Sequence, residues 1–329
     1  MRILAGDVGG TKTNLALFSR EGTALRRAEL RTFPSSRYSD LESILAEFLA
    51  GKPGVTAACL GVAGPVVSGR SRVTNLPWIV DGQSIRSVLG ADRVFLVNDL
   101  QATAFAVPFL PEESLAVLQR GEAEPRGNIA VLAAGTGLGA SFLVWTGTGY
   151  VPVASEGGHA DFAPRDEREV RLLVSLQRRH GHVSVERVVS GPGLHAIYRF
   201  LRESEGMPES KEIEARLVEE DPPRVITREG LAGHSEACGE ALRIFASLYG
   251  AQAGNLALQV MATGGVILGG GIAPSILPIL SGETFLGSFL SKGRFREFLS
   301  RVPVKVIRDD KAALLGAAHY ALAGEGVAG

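Results

Sequence analysis

Cysteine is nearly missing from this chain. Only Cys59 and Cys238 occur in 329 residues, the first inside the apolar run AACLGVA, so a disulfide scaffold and a multi-cysteine zinc site are both excluded. No surplus of positive charge exists either, because 34 Lys and Arg stand against 35 Asp and Glu for a formal net charge of −1. A protein that grips nucleic acid or an anionic membrane needs a basic stripe, and this balance offers none. The opening MRILAGDVGG has no apolar signal segment and no small-residue cleavage site, which leads us to expect a cytoplasmic protein with no nucleic-acid or membrane partner. Long hydrophobic runs are lacking too. Residues 244–282 carry no charge, but Gln252, Asn255, Gln259 and repeated Gly interrupt them, short of the ~18–20 apolar residues a bilayer span requires. The pattern predicts a buried helix over 244–261, turning through Gly264 and Gly265 into a strand at 266–268.

What the chain has in excess is glycine, 41 of 329 residues against an average of about 7 %. The excess is clustered at Gly9 and Gly10, Gly61 and Gly64, Gly135 to Gly139, Gly157 and Gly158, Gly191 and Gly193, and Gly264 to Gly271. These clusters follow apolar, strand-like runs, where glycine lets the backbone turn tightly and approach a ligand. At roughly 150 residues per domain the length predicts two domains, each able to bury a core without staples.

Periodicity predicts strands at 2–7 and 13–19 joined by the turn Gly9-Gly10-Thr11, and a third strand over 24–33. A capping box formed by Ser39 and Glu42 opens a helix ending near Ala50. A strand over 55–62, a helix after Asp81, a strand at 93–97 and a helix from Asn98 follow. The segment 111–127, with its Pro and charges, reads as a boundary. Beyond it the strand–turn–strand theme returns at 129–134 and 140–145. The charged, Pro-interrupted stretch 203–229 reads as a solvated helical excursion, and a strand at 304–307 with a small-residue helix at 310–323 closes the chain. Strands alternating with helices give an α/β architecture in two halves.

Two motifs imitate nucleotide signatures. GPVVSGRS at 64–71 has the spacing of a P-loop but carries Arg where Lys belongs, and no helix follows, so a hairpin is expected. Gly135-x-Gly137-x-Gly139 lacks the spacing of a dinucleotide fingerprint and leads into a strand. The two strand–turn–strand units fit better as a pair. Gly9, Gly10 and Thr11 in one, and Gly135, Thr136 and Gly137 in the other, present successive amides that form anion nests able to clasp a polyphosphate, with room for the phosphate where a side chain would otherwise stand. Asp7, ending the first strand, is placed to hold Mg²⁺ directly or through water. A third cluster, Gly269, Gly270 and Gly271, lies near an apolar segment of adenine size. Asn98 and Asp99 follow a strand at its carboxyl end, where ligands of open α/β sheets sit. Either they cap the helix, or Asp99 accepts a proton from an attacking hydroxyl in phosphoryl transfer.

Seven blocks carry a family resemblance: DVGGTKTN at 7–14, LGVAGP at 60–65, TNLPW at 74–78, NDLQATA at 98–104, SEGGHADFAP at 155–164, ERVVSGPG at 186–193 and GGVILGGGIA at 264–273. In that order they resemble the bacterial ATP-dependent glucokinase family over essentially the whole chain. The related repressor-type branch of sugar kinases typically carries a zinc-binding cysteine cluster, from which this chain departs. The resemblance implies an actin/hexokinase-type, ribonuclease H-like fold with a central cleft for sugar and ATP. The small α/β domain would span 1–110, closed by a C-terminal helix at 308–329, and the large one 111–307. It also implies a homodimer that uses ATP and Mg²⁺ to convert glucose to glucose 6-phosphate at the head of glycolysis. Asp99 would be the base, and Asn98, Asp99, Glu156, His159 and Glu186 the sugar ligands; without the resemblance, Glu156 and His159 read as a solvated turn. His180 and His182 read as an exposed helix end, and His195, His234 and His319 as structural. Two alternatives stand beside this reading: a kinase for mannose or fructose, and a sensor without catalysis on the same fold, against which the start of the first strand at Arg2 and the presence of Asp99 both count.

Overall fold

The computed structural model describes residues 1–22 and 24–324. They form two compact units. The first comprises Met1–Ser114, Ser141–Ala154 and the chain from Asp309 onward; the second comprises Leu115–Ala140 and Ser155–Arg308.

In the first unit β1 (Arg2–Val8), β2 (Lys12–Glu21) and β3 (Ala24–Pro34) make an antiparallel meander. Helix α1 (Leu41–Leu49) leads to β4 (Ala57–Val62). A small antiparallel sheet follows, made of β5 (Val66–Val67), β6 (Arg70–Arg72) and β7 (Ile79–Asp81). Helix α2 (Gly82–Leu89), β8 (Arg93–Asn98) and α3 (Asp99–Ala106) complete the run. The main sheet has the order β3-β2-β1-β4-β8, with β4 parallel to both β1 and β8. Successive side chains of a strand point to opposite faces, and β1 is apolar on both. Leu4 and Val8 join Leu41, Ile44, Leu45 and Phe48 of α1 in one core. Ile3 and Ala5 join Leu314, Ala317, Ala318 and Ala321 of the closing helix Ala312–Ala323 in the other. That helix needs small residues, since a Cβ on Gly316 would lie 1.8 Å from the Ala102 carbonyl oxygen of α3. The end of the expected closing segment, 325–329, lies outside the described residues.

Of three local expectations, one is corrected and two hold. The cap of α1 is Asp40 rather than Ser39: its carboxylate accepts from the Ser43 N–H at 2.8 Å, and a carboxylate offers two acceptor oxygens where a serine offers one. The P-loop look-alike is the β5–β6 hairpin, with Ser68 and Gly69 both at positive φ (51° and 72°) as a primed two-residue turn requires. Asp81 caps α2 through the Gln83 N–H.

The second unit holds β9 (Leu115–Gln119), β10 (Ile129–Ala134) and the start of β11 (Leu138–Trp145). The chain then returns to the first unit through most of β12 (Tyr150–Ser155). Helices α4 (Glu167–His180), α5 (Gly191–Glu203), α6 (Lys211–Glu219), α7 (Pro222–Leu231) and α8 (Glu236–Gln259) follow, then β13 (Gly265–Gly269) and β14 (Val304–Ile307). Strands β10, β13 and β14 are parallel neighbours, and β9 adds antiparallel to β14. The expected boundary at 111–127 thus contains a strand. Leu115–Gln119 is too short to show an alternation, and it pairs only because β14 supplies a distant partner. The stretch 203–229 is helical but not wholly solvated, since Val225 and Ile226 of α7 are fully buried. The uncharged run begins within α8 and continues through β13, and among the described residues no helix is long and apolar enough to cross a membrane.

Candidate active site

In the first unit the candidate residues gather at one end of the parallel strands. Val8 is level with Val62, and Val62 with Asn98, so Asp7 and the Asn98–Asp99 pair share the carboxyl edge of the sheet. Asp7 is flanked by Asn14 on the adjacent strand, whose Nδ2 donates to Asp7 Oδ2 at 2.9 Å. Burial pushes the Asp7 pKa up, opposed by that hydrogen bond and by the charges of Lys12 and Lys311. The chain then turns through Gly9, Gly10 and Thr11, with the Gly9 N–H donating to the Lys12 carbonyl at 3.0 Å. Beneath the turn lies Ser35, fully buried. Its hydroxyl donates to the Gly9 carbonyl at 2.7 Å and lies 3.0 Å from Thr13 Oγ1, while its N–H donates to the Thr11 carbonyl at 3.1 Å. Neither Ser35 nor Asn14 was singled out from the sequence. Asn14 lies inside the block 7–14 and could have been; Ser35, in a polar stretch after an edge strand, carries no local signal.

Of the two roles considered for Asn98 and Asp99, the contacts in the first unit show the helix cap. Asn98 caps α3, accepting from the Leu100 N–H at 2.9 Å, with Gln101 closing a capping box. Its Nδ2 donates to the Gly64 carbonyl at 3.1 Å. Asp99 is the first residue of the helix and accepts from the same Leu100 N–H through Oδ1 at 2.8 Å. The positive end of the helix dipole favours a carboxylate at this position. Gly61 of β4 makes it possible: a Cβ there would lie 3.3 Å from Asp99 Cα and 3.1 Å from Ala102 Cβ.

The second unit brings together Glu156, His159 and Glu186. His159 Nε2 is 3.9 Å from Glu156 Oε2, and His159 Nδ1 is 4.0 Å from Glu186 Oε1. Glu156 and His159 are exposed, whereas Glu186 is largely covered. The glycine turn 135–139 lies against the same glutamate, whose Oε2 accepts from the Leu138 N–H at 2.9 Å. On its other side the Gly135 carbonyl accepts from the Gly191 N–H at 2.8 Å, where α5 begins behind its cap Ser190. Gly270 follows β13 with φ +78°, and a Cβ on it would lie 2.3 Å from the Ala134 carbonyl, so the third glycine cluster abuts the second. Thr11, Thr136, Gly270 and Gly271 are exposed, Gly269 is buried, and a Cβ on Gly135 or Gly271 would meet open space.

Two glycines are explained differently from the expectation. The room beside Gly10 and Gly137 is taken by the protein itself, and neither residue has positive φ. A Cβ on Gly10 would lie 2.4 Å from the Thr74 carbonyl oxygen, and one on Gly137 would lie 2.6 Å from Glu186 Oε2. Among the histidines, His182 Nε2 lies 2.8 Å from Asp161 Oδ1, and His319 stacks on Phe109.

The chemistry of the donor set fits the expected groups. Open glycine backbone at Gly135 and Gly271 leaves space for a polyphosphate. A single part-buried carboxylate, Asp7, fits Mg²⁺ retained mainly by water and phosphate oxygens rather than by a protein cage; no cluster of three or more His, Cys, Asp or Glu that could hold a metal occurs among the described residues.

A glycine hairpin after an acidic strand end, a second glycine turn, and a carboxylate heading a helix at the sheet edge are features expected of a sugar kinase of the actin/hexokinase type. Comparison with known proteins agrees. The glucokinase family model matches residues 4–323. The glucokinase of Nostoc punctiforme is 40 % identical over 96 % of this chain and 97 % of its own. The crystal structure of a glucokinase from an Antarctic psychrotroph superposes with TM-score 0.86 at 31 % identity, covering 98 % of this chain and 99 % of that one. A repressor-type glucokinase from Streptomyces griseus, solved with glucose and AMPPNP, shares the fold at TM-score 0.63 and 21 % identity, over 98 % of this chain and all of its own. The chain belongs to the glucokinase family and is an enzyme of that kind.

Proposed function

We propose that this enzyme transfers the γ-phosphoryl group of ATP to the 6-hydroxyl of glucose. The observation that carries this reading is the shared carboxyl edge of β1, β4 and β8, which sets Asp7 and Asp99 at the same end of one sheet. Asp99 accepts the proton of the 6-hydroxyl as that oxygen bonds to the γ-phosphorus and the bond to the bridging oxygen of ADP breaks. Phosphoryl transfer otherwise needs positioning and charge neutralisation. Asn98, held between the Gly64 carbonyl and the helix cap, orients a hydroxyl beside the base. Glu156, His159 and Glu186 bind further hydroxyls of the sugar. The turns 9–11 and 135–137 and the cluster 269–271 present backbone amides to the nucleotide. Bound Mg²⁺ supplies charge neutralisation on the phosphates, and Asp7 is the residue that would hold it, through water.

The test is a coupled assay of ADP release over a panel of hexoses. Glucose is expected to give the highest kcat/KM; a clear preference for mannose or fructose would move the assignment to another hexokinase, and no turnover with any sugar would move it to a sensor. The same reading, carried from the family resemblance, makes the enzyme a cytoplasmic homodimer. Light scattering that returned the mass of one chain would remove the dimer, and the two free, buried cysteines accord with a reducing compartment.

A further inference from the structure

The turn 135–139 is tied to the segment 186–191 at two points: the Gly191 N–H donates to the Gly135 carbonyl, and the Leu138 N–H donates to Glu186 Oε2. The segment is itself fixed, because Ser190 donates through Oγ to the Glu186 carbonyl at 2.7 Å while capping α5. The carboxylate of Glu186 therefore faces two ways. Oε2 lies on the turn, close enough that a Cβ on Gly137 would be 2.6 Å from it. Oε1 points to the other group, 4.0 Å from His159 Nδ1.

This placement has an electrostatic consequence. A carboxylate beside a turn that is to receive phosphate repels it, and within a few ångströms in a partly buried site that repulsion is not screened away. A hydroxyl donating to Oε1 draws charge off the carboxylate and holds Oε2 on the Leu138 amide, which relieves the repulsion and keeps the turn in shape. We infer that Glu186 couples the two substrates: one oxygen holds the nucleotide turn and the other the sugar, so that each substrate tightens the binding of the other. The inference rests on the reading of Glu186 as a sugar ligand and of 135–139 as a nucleotide turn. Coupling of this kind is reciprocal by thermodynamic necessity.

Calorimetric titrations of glucose and of a non-hydrolysable ATP analogue, each with and without the other at saturation, test it. In the parent, each ligand is expected to tighten the other by about fivefold or more. In Glu186→Gln the amide oxygen still accepts from Leu138, so the turn survives, but the charge is gone; the coupling factor is expected to fall to within about twofold of one. Gly137→Ala displaces the carboxylate from the turn side while leaving all three sugar ligands in the chain. Glucose alone is then expected to bind about tenfold more weakly, on the scale of one hydrogen bond to a charged group, although Gly137 is not itself a sugar ligand. Circular dichroism establishes that both variants fold, and if one does not, the other decides. A parent that binds both ligands without coupling, a Gln variant that keeps the parent's factor, or an Ala variant with the parent's glucose affinity each overturn the inference. A parent that binds no glucose overturns the proposed function instead.

Discussion

Asn14 donates its side-chain N–H to Asp7 Oδ2 at 2.9 Å, and its own Oδ1 accepts from Thr32 Oγ1 at 2.8 Å. Three neighbouring strands thus orient one carboxylate at the lip of the first glycine turn. Burial pushes the Asp7 pKa up and Asn14 holds it down. In Asn14→Ala the restraint is lost, so Asp7 takes a proton at higher pH than in the parent. The acid limb of the pH profile of kcat/KM is expected to move to higher pH, and activity at neutral pH to fall about tenfold or more, the cost of one hydrogen bond to a charged group. An unmoved acid limb would show that Asp7 does not work as a carboxylate in the reaction.

Asp99→Asn isolates the proton transfer. Asn accepts from the Leu100 N–H as Asp99 does, so the start of α3 is preserved, but an amide cannot serve as base. A positioned general base contributes ~10²–10⁴-fold, and kcat is expected to fall by that much while glucose affinity changes far less. Turnover within threefold of the parent would assign the proton to another group.

Much of this architecture could be read from the chain because periodicity and punctuation agreed. The strand 304–307 is β14 to the residue, and both Asp81 and Asn98 stand where helix caps belong. What escaped depended on distant partners. Leu115–Gln119 is a strand only beside β14, and Ser35 matters only because β3 returns it beneath the turn that Gly9 opens. The glycine clusters were visible, but the reason for each was not. Gly10 and Gly137 make room for Thr74 and Glu186, residues 64 and 49 positions further along the chain, and no local pattern reveals such a neighbour. The triplet of Glu156, His159 and Glu186 had no signature of its own; family resemblance singled it out, and folding brings His159 within 4.0 Å of each glutamate.

Those reasons separate two classes of glycine experimentally. A Cβ on Gly135 or Gly271 meets no atom within 4 Å, whereas one on Gly10 runs into the Thr74 carbonyl at 2.4 Å. Gly135→Ala and Gly271→Ala are therefore expected to fold with the parent's Tm yet raise the KM for ATP several-fold, because under the proposed function the added methyl would stand where the nucleotide binds. Gly10→Ala is expected to lower the Tm, since overpacking against rigid backbone costs roughly 1–3 kcal/mol. Should both open-space variants keep the parent's KM for ATP, the nucleotide does not lie on these turns.

His319 gives the fold a dependence on pH that is separate from catalysis. Its ring stacks on Phe109 with centroids 3.5 Å apart and planes within 2°, and burial lowers its pKa to about 4. In the unfolded chain the same imidazole takes up a proton near pH 6.5. Between those values the unfolded state binds more protons than the folded one, so stability is fully present above about pH 6.5 and is lost as the pH falls toward 4. At pH 5 the loss is about 1 kcal/mol, after allowance for a ring that is only part-buried. His319→Phe keeps an aromatic ring against Phe109 and removes the titrating group. Urea unfolding of parent and variant at pH 7 and pH 5 isolates the contribution, because the other titrating groups are common to both. The variant is expected to lose about 1 kcal/mol less than the parent between the two pH values, and equal losses would mean that His319 is protonated in the folded enzyme as readily as in the unfolded chain.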